Sequence, residues 1–95
     1  MTMKFDAGKW RLSLVPVRCL TQIVQVLEFG AKKYKEDNWQ TVPDARRRYY
    51  DAAIRHLTAW WDGEKLDSES NMPHLAHAAC CVIFLLWLDD EEQKP

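Results

Sequence analysis

PHLAHAACCVIFLLWL, residues 73–88, decides the fold. From Leu75 to Leu88 it is apolar on every helical face, with His77 as the only break, and the acidic run DDEEQ follows it. It falls short of the roughly 20 residues that a membrane-spanning helix needs, so it predicts a buried helix rather than a span. A helix apolar all round must be covered all round. In a chain of 95 residues, which buries only about 60 to 65% of its unfolded surface, part of that cover is expected from a second subunit.

Working outward, Pro73 marks the start of this helix, with Ser70 or Asn71 near its cap, and the predicted span is 73–90. Upstream, Gly63 closes a second helix predicted over 41–62, opened by Thr41 as the capping hydroxyl, Pro43 in the first turn and Asp44 three residues after Thr41. Tyr49, Ala52, Ala53, His56 and Trp60 fall on one face of it, so His56 is expected to point inward. A first helix is predicted over 13–35. Ser13 and Pro16 open it, and Leu20, Ile23, Val24, Leu27, Ala31 and Tyr34 form its core-facing stripe. Glu28 borders that stripe and is expected to reach inward, while Gly30 inside the pattern predicts a close approach or a bend. Residues 1–12 read as an extended arm and 63–72 as an acidic loop. With no strand pattern and no repeat, the fold class is all-α: one domain, a small bundle of about three main helices completed by oligomerisation.

Composition excludes several classes. A net charge of −1 with 28% charged residues gives no nucleic-acid bias, and 47% hydrophobic residues with five Trp support a real core. No apolar run follows a basic start, so the expectation is a cytoplasmic chain without a secretory leader or a membrane contact. Cys19, Cys80 and Cys81 include no CxxC spacing and read as buried thiols rather than disulfide or zinc ligands.

The chemistry concentrates in GEKLDSESNMPHLAH, residues 63–77. Glu64, Asp67 and Glu69 are hard oxygen donors within six residues, the first two at ExxD spacing, and Glu28 arriving from the first helix would complete a Mg²⁺ site, with Mn²⁺ as the alternative. Such an ion neutralises a phosphoanhydride and activates or orients water. His74 and His77 lie one turn apart, and His56, His74 or His77 is the candidate to orient water or phosphate. The three histidines making a transition-metal or zinc site is the second reading, since no HExxH or histidine-aspartate dipeptide is present. Cations that could hold phosphate oxygens are Lys4, Lys9 and Arg11 in the arm, Lys33 in the first helix and Arg55 in the second. Arg46, Arg47 and Arg48 crowd the positive end of the second helix, which also suggests an anionic ligand. Asn38 and Trp39 lie on a loop among Lys32, Lys33 and Lys35, a setting suited to stacking on a base.

Four segments in order, DAGKWRLSLVP, EFGAKKYKEDNW, RHLTAWWDGEKLDSES and PHLAHAACCVIFLLW, resemble the phage-type dATP/dGTP diphosphohydrolase domain, one of the all-α nucleoside triphosphate pyrophosphohydrolases related to MazG-like proteins. The likeness covers nearly the whole chain. It implies a helical dimer or tetramer that uses Mg²⁺ to cleave a purine deoxynucleoside triphosphate to monophosphate and pyrophosphate. The wider superfamily carries ExxE on one helix and ExxD on another. Here Glu28 has Gln25 and Ala31 three residues to either side, and His74 and His77 occupy the third helix. The implied ligands are therefore Glu28, Glu64 and Asp67 with Glu69 in support, or a set in which histidines replace some of them. Two other classes fit the same residues: a nucleotide-binding module without catalysis, and a helical oligomerisation domain.

Overall fold

The computed structural model describes residues 8–94. Three helices carry the architecture: α1 over Val17–Lys33, α2 over Ala45–Trp61 and α3 over His74–Glu92. Short 3₁₀ turns, Leu12–Leu14 and Asn38–Thr41, precede α1 and α2, and among the described residues there is no strand, only an isolated bridge between Leu66 and Pro73. The all-α reading is therefore correct.

Helix boundaries follow from local chemistry, with two corrections. At the start of α1, Ser13 sits inside the first 3₁₀ turn and Pro16 occupies the cap position. At the start of α2, Thr41 does not cap. Val42, restricted to extended backbone by the proline that follows, separates the Asn38–Thr41 turn from the helix, and Asp44 occupies the N-cap position in a left-handed conformation with φ 54°, its carboxylate bonded to Arg47 rather than to a backbone N–H. The other end of α2 is as expected: Gly63, at φ 102°, donates its N–H to the Trp60 carbonyl while the Glu64 N–H reaches the Ala59 carbonyl. Those two bonds are the paired closure of a Schellman motif, which only a residue tolerant of positive φ completes without strain.

α3 is the central element, packed chiefly on α2 and less extensively on α1. The small side chains Ala53, Ala76, Ala78, Cys80 and Cys81 are buried, which lets the helices approach closely. On α1 the stripe is rotated from the expected one. Val26 is buried, and Ile23 and Leu27 pack around it with Cys80 and Phe84, whereas Leu20, Val24 and Tyr34 are exposed. Both registers carry apolar residues, and contact with α3 selects the one that contains Val26. Glu28 consequently faces solvent. Gly30 stays helical, and a Cβ there would meet no heavy atom within 4 Å, so close approach is not the reason for this glycine.

The core is thin. No large side chain is fully buried, and Leu75, Val82, Ile83 and Leu86 on α3 are exposed, Leu86 by 68%. The Cα radius of gyration, 16.0 Å, exceeds the about 12 Å expected of a compact domain of this length. The acidic end of α3 is more than a solvated terminus: Arg46 Nη2 bonds Asp89 Oδ1 at 2.9 Å and Glu92 Oε1 at 2.7 Å, tying the start of α2 to the end of α3. Part of the basic run thus has a partner within the chain.

Candidate active site

α1 and α2 both lean on α3, leaving a cleft of about 940 Å³ between them whose floor is α3. That is at the upper end of small-molecule sites, which run from about 300 to 1,000 Å³. Lys33 and Lys35 line it from the α1 side, Arg47, Arg48 and Arg55 from α2, and His56, Asp67, Glu69 and His77 line it as well.

The loop between α2 and α3 is folded by its own hydrogen bonds. The Asp67 N–H donates to the Met72 carbonyl and the Asn71 N–H to the Asp67 carbonyl, both at 2.8 Å, with Asn71 in the left-handed region at φ 59°. The Asp67 side chain organises this turn. Its Oδ1 accepts the N–H groups of Glu69 and Ser70 at 2.9 Å and the Ser70 hydroxyl at 3.3 Å, while Oδ2 takes none of these bonds. Burial works against the charged form of Asp67, but the two N–H groups and the nearby His77 outweigh it and hold the carboxyl below its usual range.

Three imidazoles converge on this turn. His74, at the start of α3, is 5% exposed. Its Nε2 lies 2.6 Å from Glu64 Oε1, and because a carboxylate only accepts, Nε2–H donates there. With His74 in the neutral tautomer that carries its proton on Nε2, Nδ1 is an acceptor for His56 Nδ1–H at 2.8 Å. His56 stacks on His77 at 4.7 Å, and the Ser70 hydroxyl lies 2.7 Å from His77 Nε2. Phe29 of α1 meets His77 in a T-shaped contact. Burial, together with the neighbouring His77 and His74, lowers His56 to about 4, and burial likewise lowers His77. At neutral pH both rings are therefore uncharged and have a lone pair to offer.

The residues expected from sequence separate into three groups. His56, His77, Asp67, Glu69, Lys33, Asn38, Trp39 and Arg55 all line the cleft, and His74 and Glu64 join it through the hydrogen bonds above. Glu28, Lys9 and Arg11 are exposed and do not line it, and Lys4 lies outside the described residues. Glu64, Asp67, Glu69 and Glu28 do not gather into a carboxylate cage: Glu64 serves His74, Glu69 is paired with Lys33, and Glu28 is on the solvent side of α1. The close donor group is instead His56, Asp67 and His74. Two imidazole nitrogens and one carboxylate oxygen do not match the oxygen preference of Mg²⁺. Trp39 stacks on Phe84 at 4.5 Å and meets Trp87 in a T-shaped contact, so part of its surface closes the core.

Sequence reasoning did not single out Ser70 as the bridge between Asp67 and His77, and its position as a possible cap was the only signal. The sequence predicts Cys80 and Cys81 as buried thiols. They are buried and line the cleft, and desolvation pushes them up to about 12 and about 11, so they are poor nucleophiles. Cys19 is exposed, contrary to expectation, because it lies on the outer face of α1.

Residues 1–94 match the family profile described as dATP/dGTP diphosphohydrolase, N-terminal. A curated relative, the dATP/dGTP diphosphohydrolase of Salmonella phage PMBT28, is 37% identical over 86 residues that cover 90% of this chain. The same stretch is 29% of the relative, so the chain spans less than a third of that protein's length. No solved structure matches the chain.

Proposed function

The chain belongs to the dATP/dGTP diphosphohydrolase N-terminal family, and on that premise we propose that it hydrolyses purine deoxynucleoside triphosphates to monophosphate and pyrophosphate in a metal-dependent reaction. The observation that carries this reading is the pairing, in one cleft, of a cationic rim with a neutral imidazole and carboxylate cluster. Arg48 and Arg55 balance the charge of a triphosphate as planar forks, joined by Lys33 and Arg47 once their contacts to Glu69 and to Asp44 and Asp51 yield to the substrate. Asn38 and the uncovered part of Trp39, which also line the cleft, hold the base. His77, held by Ser70 and outside the His56, Asp67 and His74 group, orients the attacking water or a phosphate oxygen. A divalent cation, when bound, lowers the charge on the phosphoanhydride and favours departure of pyrophosphate. Mg²⁺ or Mn²⁺ accompanying the triphosphate fits this role, since Mg²⁺ is commonly held by substrate phosphates with few protein ligands.

A homodimer or homotetramer belongs to the same reading. The exposed Leu75, Val82, Ile83 and Leu86 face and the large radius of gyration support it, with a second copy as the expected cover. The expected setting is the cytoplasm, where nucleotide pools lie, and no described helix is long and apolar enough to cross a membrane. Sedimentation of the purified chain at the monomer mass would remove the oligomer from this account.

Incubating the chain with dATP, dGTP, dCTP and dTTP, with Mg²⁺ or Mn²⁺, and separating the products by anion exchange tests the activity. Monophosphate and pyrophosphate from the purine substrates are expected; inorganic triphosphate as product, or no turnover, contradicts the proposal. One observation favours a second reading. Because the chain spans 29% of its relative, it is alternatively a nucleotide-binding module whose chemistry needs the remainder, and calorimetry would then show dGTP binding without turnover.

A further inference from the structure

We propose that His56, His74 and Asp67 form a three-ligand site for a borderline divalent transition-metal ion of the Zn²⁺ and Co²⁺ class. This concerns the site itself and stands whether or not the chain hydrolyses a nucleotide. One donor atom from each of the three residues lies within 4.8 Å of the other two. The two imidazoles meet through like atoms, Nδ1 to Nδ1 at 2.8 Å, in a part-buried setting. A tetrahedral ion with bonds of about 2.0–2.1 Å sets its donors roughly 3.3 Å apart, so the rings need to part by about half an ångström and the Asp67 oxygen, within 4.8 Å of both, closes on the ion. Glu64 already holds the outer nitrogen of His74 at 2.6 Å, which is the carboxylate–histidine support that orients metal-bound imidazoles. Asp67 is fixed through Oδ1 by two backbone N–H groups, which leaves Oδ2 to bind.

Three protein ligands leave a coordination position open, the pattern of catalytic rather than structural sites, and His56 and Asp67 both line the cleft. The proton balance is specific. His74 keeps its proton on Nε2, donated to Glu64, and already presents Nδ1 as a lone pair. His56 has to move its proton from Nδ1 to Nε2 through solvent, so the ion enters without net proton release from the two rings.

The test uses the metal-free chain titrated with Co²⁺ and followed by visible ligand-field absorption and calorimetry. One Co²⁺ per chain with an intense tetrahedral band is expected, displaced by equimolar Zn²⁺ and unaffected by millimolar Mg²⁺. Asp67→Asn and His56→Gln should abolish the band, and Glu64→Gln should weaken binding by about 10- to 100-fold. Helicity by circular dichroism confirms that each variant is folded, and a Cys80→Ala, Cys81→Ala double variant should keep the band. In the parent chain, ¹⁵N imidazole spectra should show His56 changing tautomer on Zn²⁺ addition while His74 keeps its own. No Co²⁺ band, a band that survives in folded Asp67→Asn and His56→Gln, loss of the band with the cysteines, or displacement by Mg²⁺ would each overturn the proposal.

Discussion

The α2–α3 pair ends in a polar cluster at each extremity, and the two clusters are built differently. At one, Arg46 meets Asp89 and Glu92, all three largely exposed. At the other, His56, His74 and Glu64 are joined by directed hydrogen bonds, with His74 buried and the Asp67 carboxylate beside them. The first is an electrostatic tie that water screens; the second has its protonation states and ring orientations set by its neighbours. Burial and directed bonding, rather than the number of charged residues, distinguish a site from a solvated helix end.

Removing the carboxylate that organises the second cluster should have the largest effect. Asp67→Ala leaves the Glu69 and Ser70 N–H groups without their acceptor and is expected to cost about 2 kcal/mol in urea unfolding, with loss of any nucleotide hydrolysis. A change below about 0.5 kcal/mol would mean that the loop is held by its backbone bonds alone.

Acid should separate the two clusters next. His56 has a folded value of about 4, below its ordinary 6.5, so its neutral ring contributes stability that is fully present above 6.5 and is lost as pH falls through about 4. His77 acts in the same direction. In chelator, the parent should lose about 1–2 kcal/mol over that window, allowing for the partial exposure of the ring, and His56→Gln should lose less. Equal slopes for the two proteins would break the comparison.

A smaller effect of opposite sign is expected in α1. Gly30→Ala fills open space in a helix interior and should stabilise by about 1 kcal/mol, raising Tm by about 4–8 °C. A lower Tm would show that the cleft needs the missing side chain. Arg46→Met, at the exposed cluster, should leave Tm unchanged within error in high salt, because its partners remain hydrated without it. A clear drop that persists in high salt would place that tie alongside the histidine cluster.

How much was legible depended on the range of the interaction. Gly63 as a helix stop, the apolar α3 and the inward His56 follow from spacing and backbone conformation, both local properties. The Thr41 cap failed because Val42 and Pro43 insert an extended step that a capping pattern does not count. Glu28 was expected near the acids because two apolar registers coexist on α1, and which one turns inward depends on Val26 meeting Cys80 of α3. The bond between His56 and His74, 18 positions apart, has no counterpart in sequence spacing.

Sequence alone therefore determined the helical class, the apolar character of α3, the family likeness and the supply of histidines, acids and cations around residues 63–77. Only the tertiary structure decided which of them meet. Helical periodicity is written every three or four residues, whereas the rotation of α1 and the meeting of His56, His74 and Asp67 are set by packing across α3, where burial and geometry rather than order along the chain choose the partners.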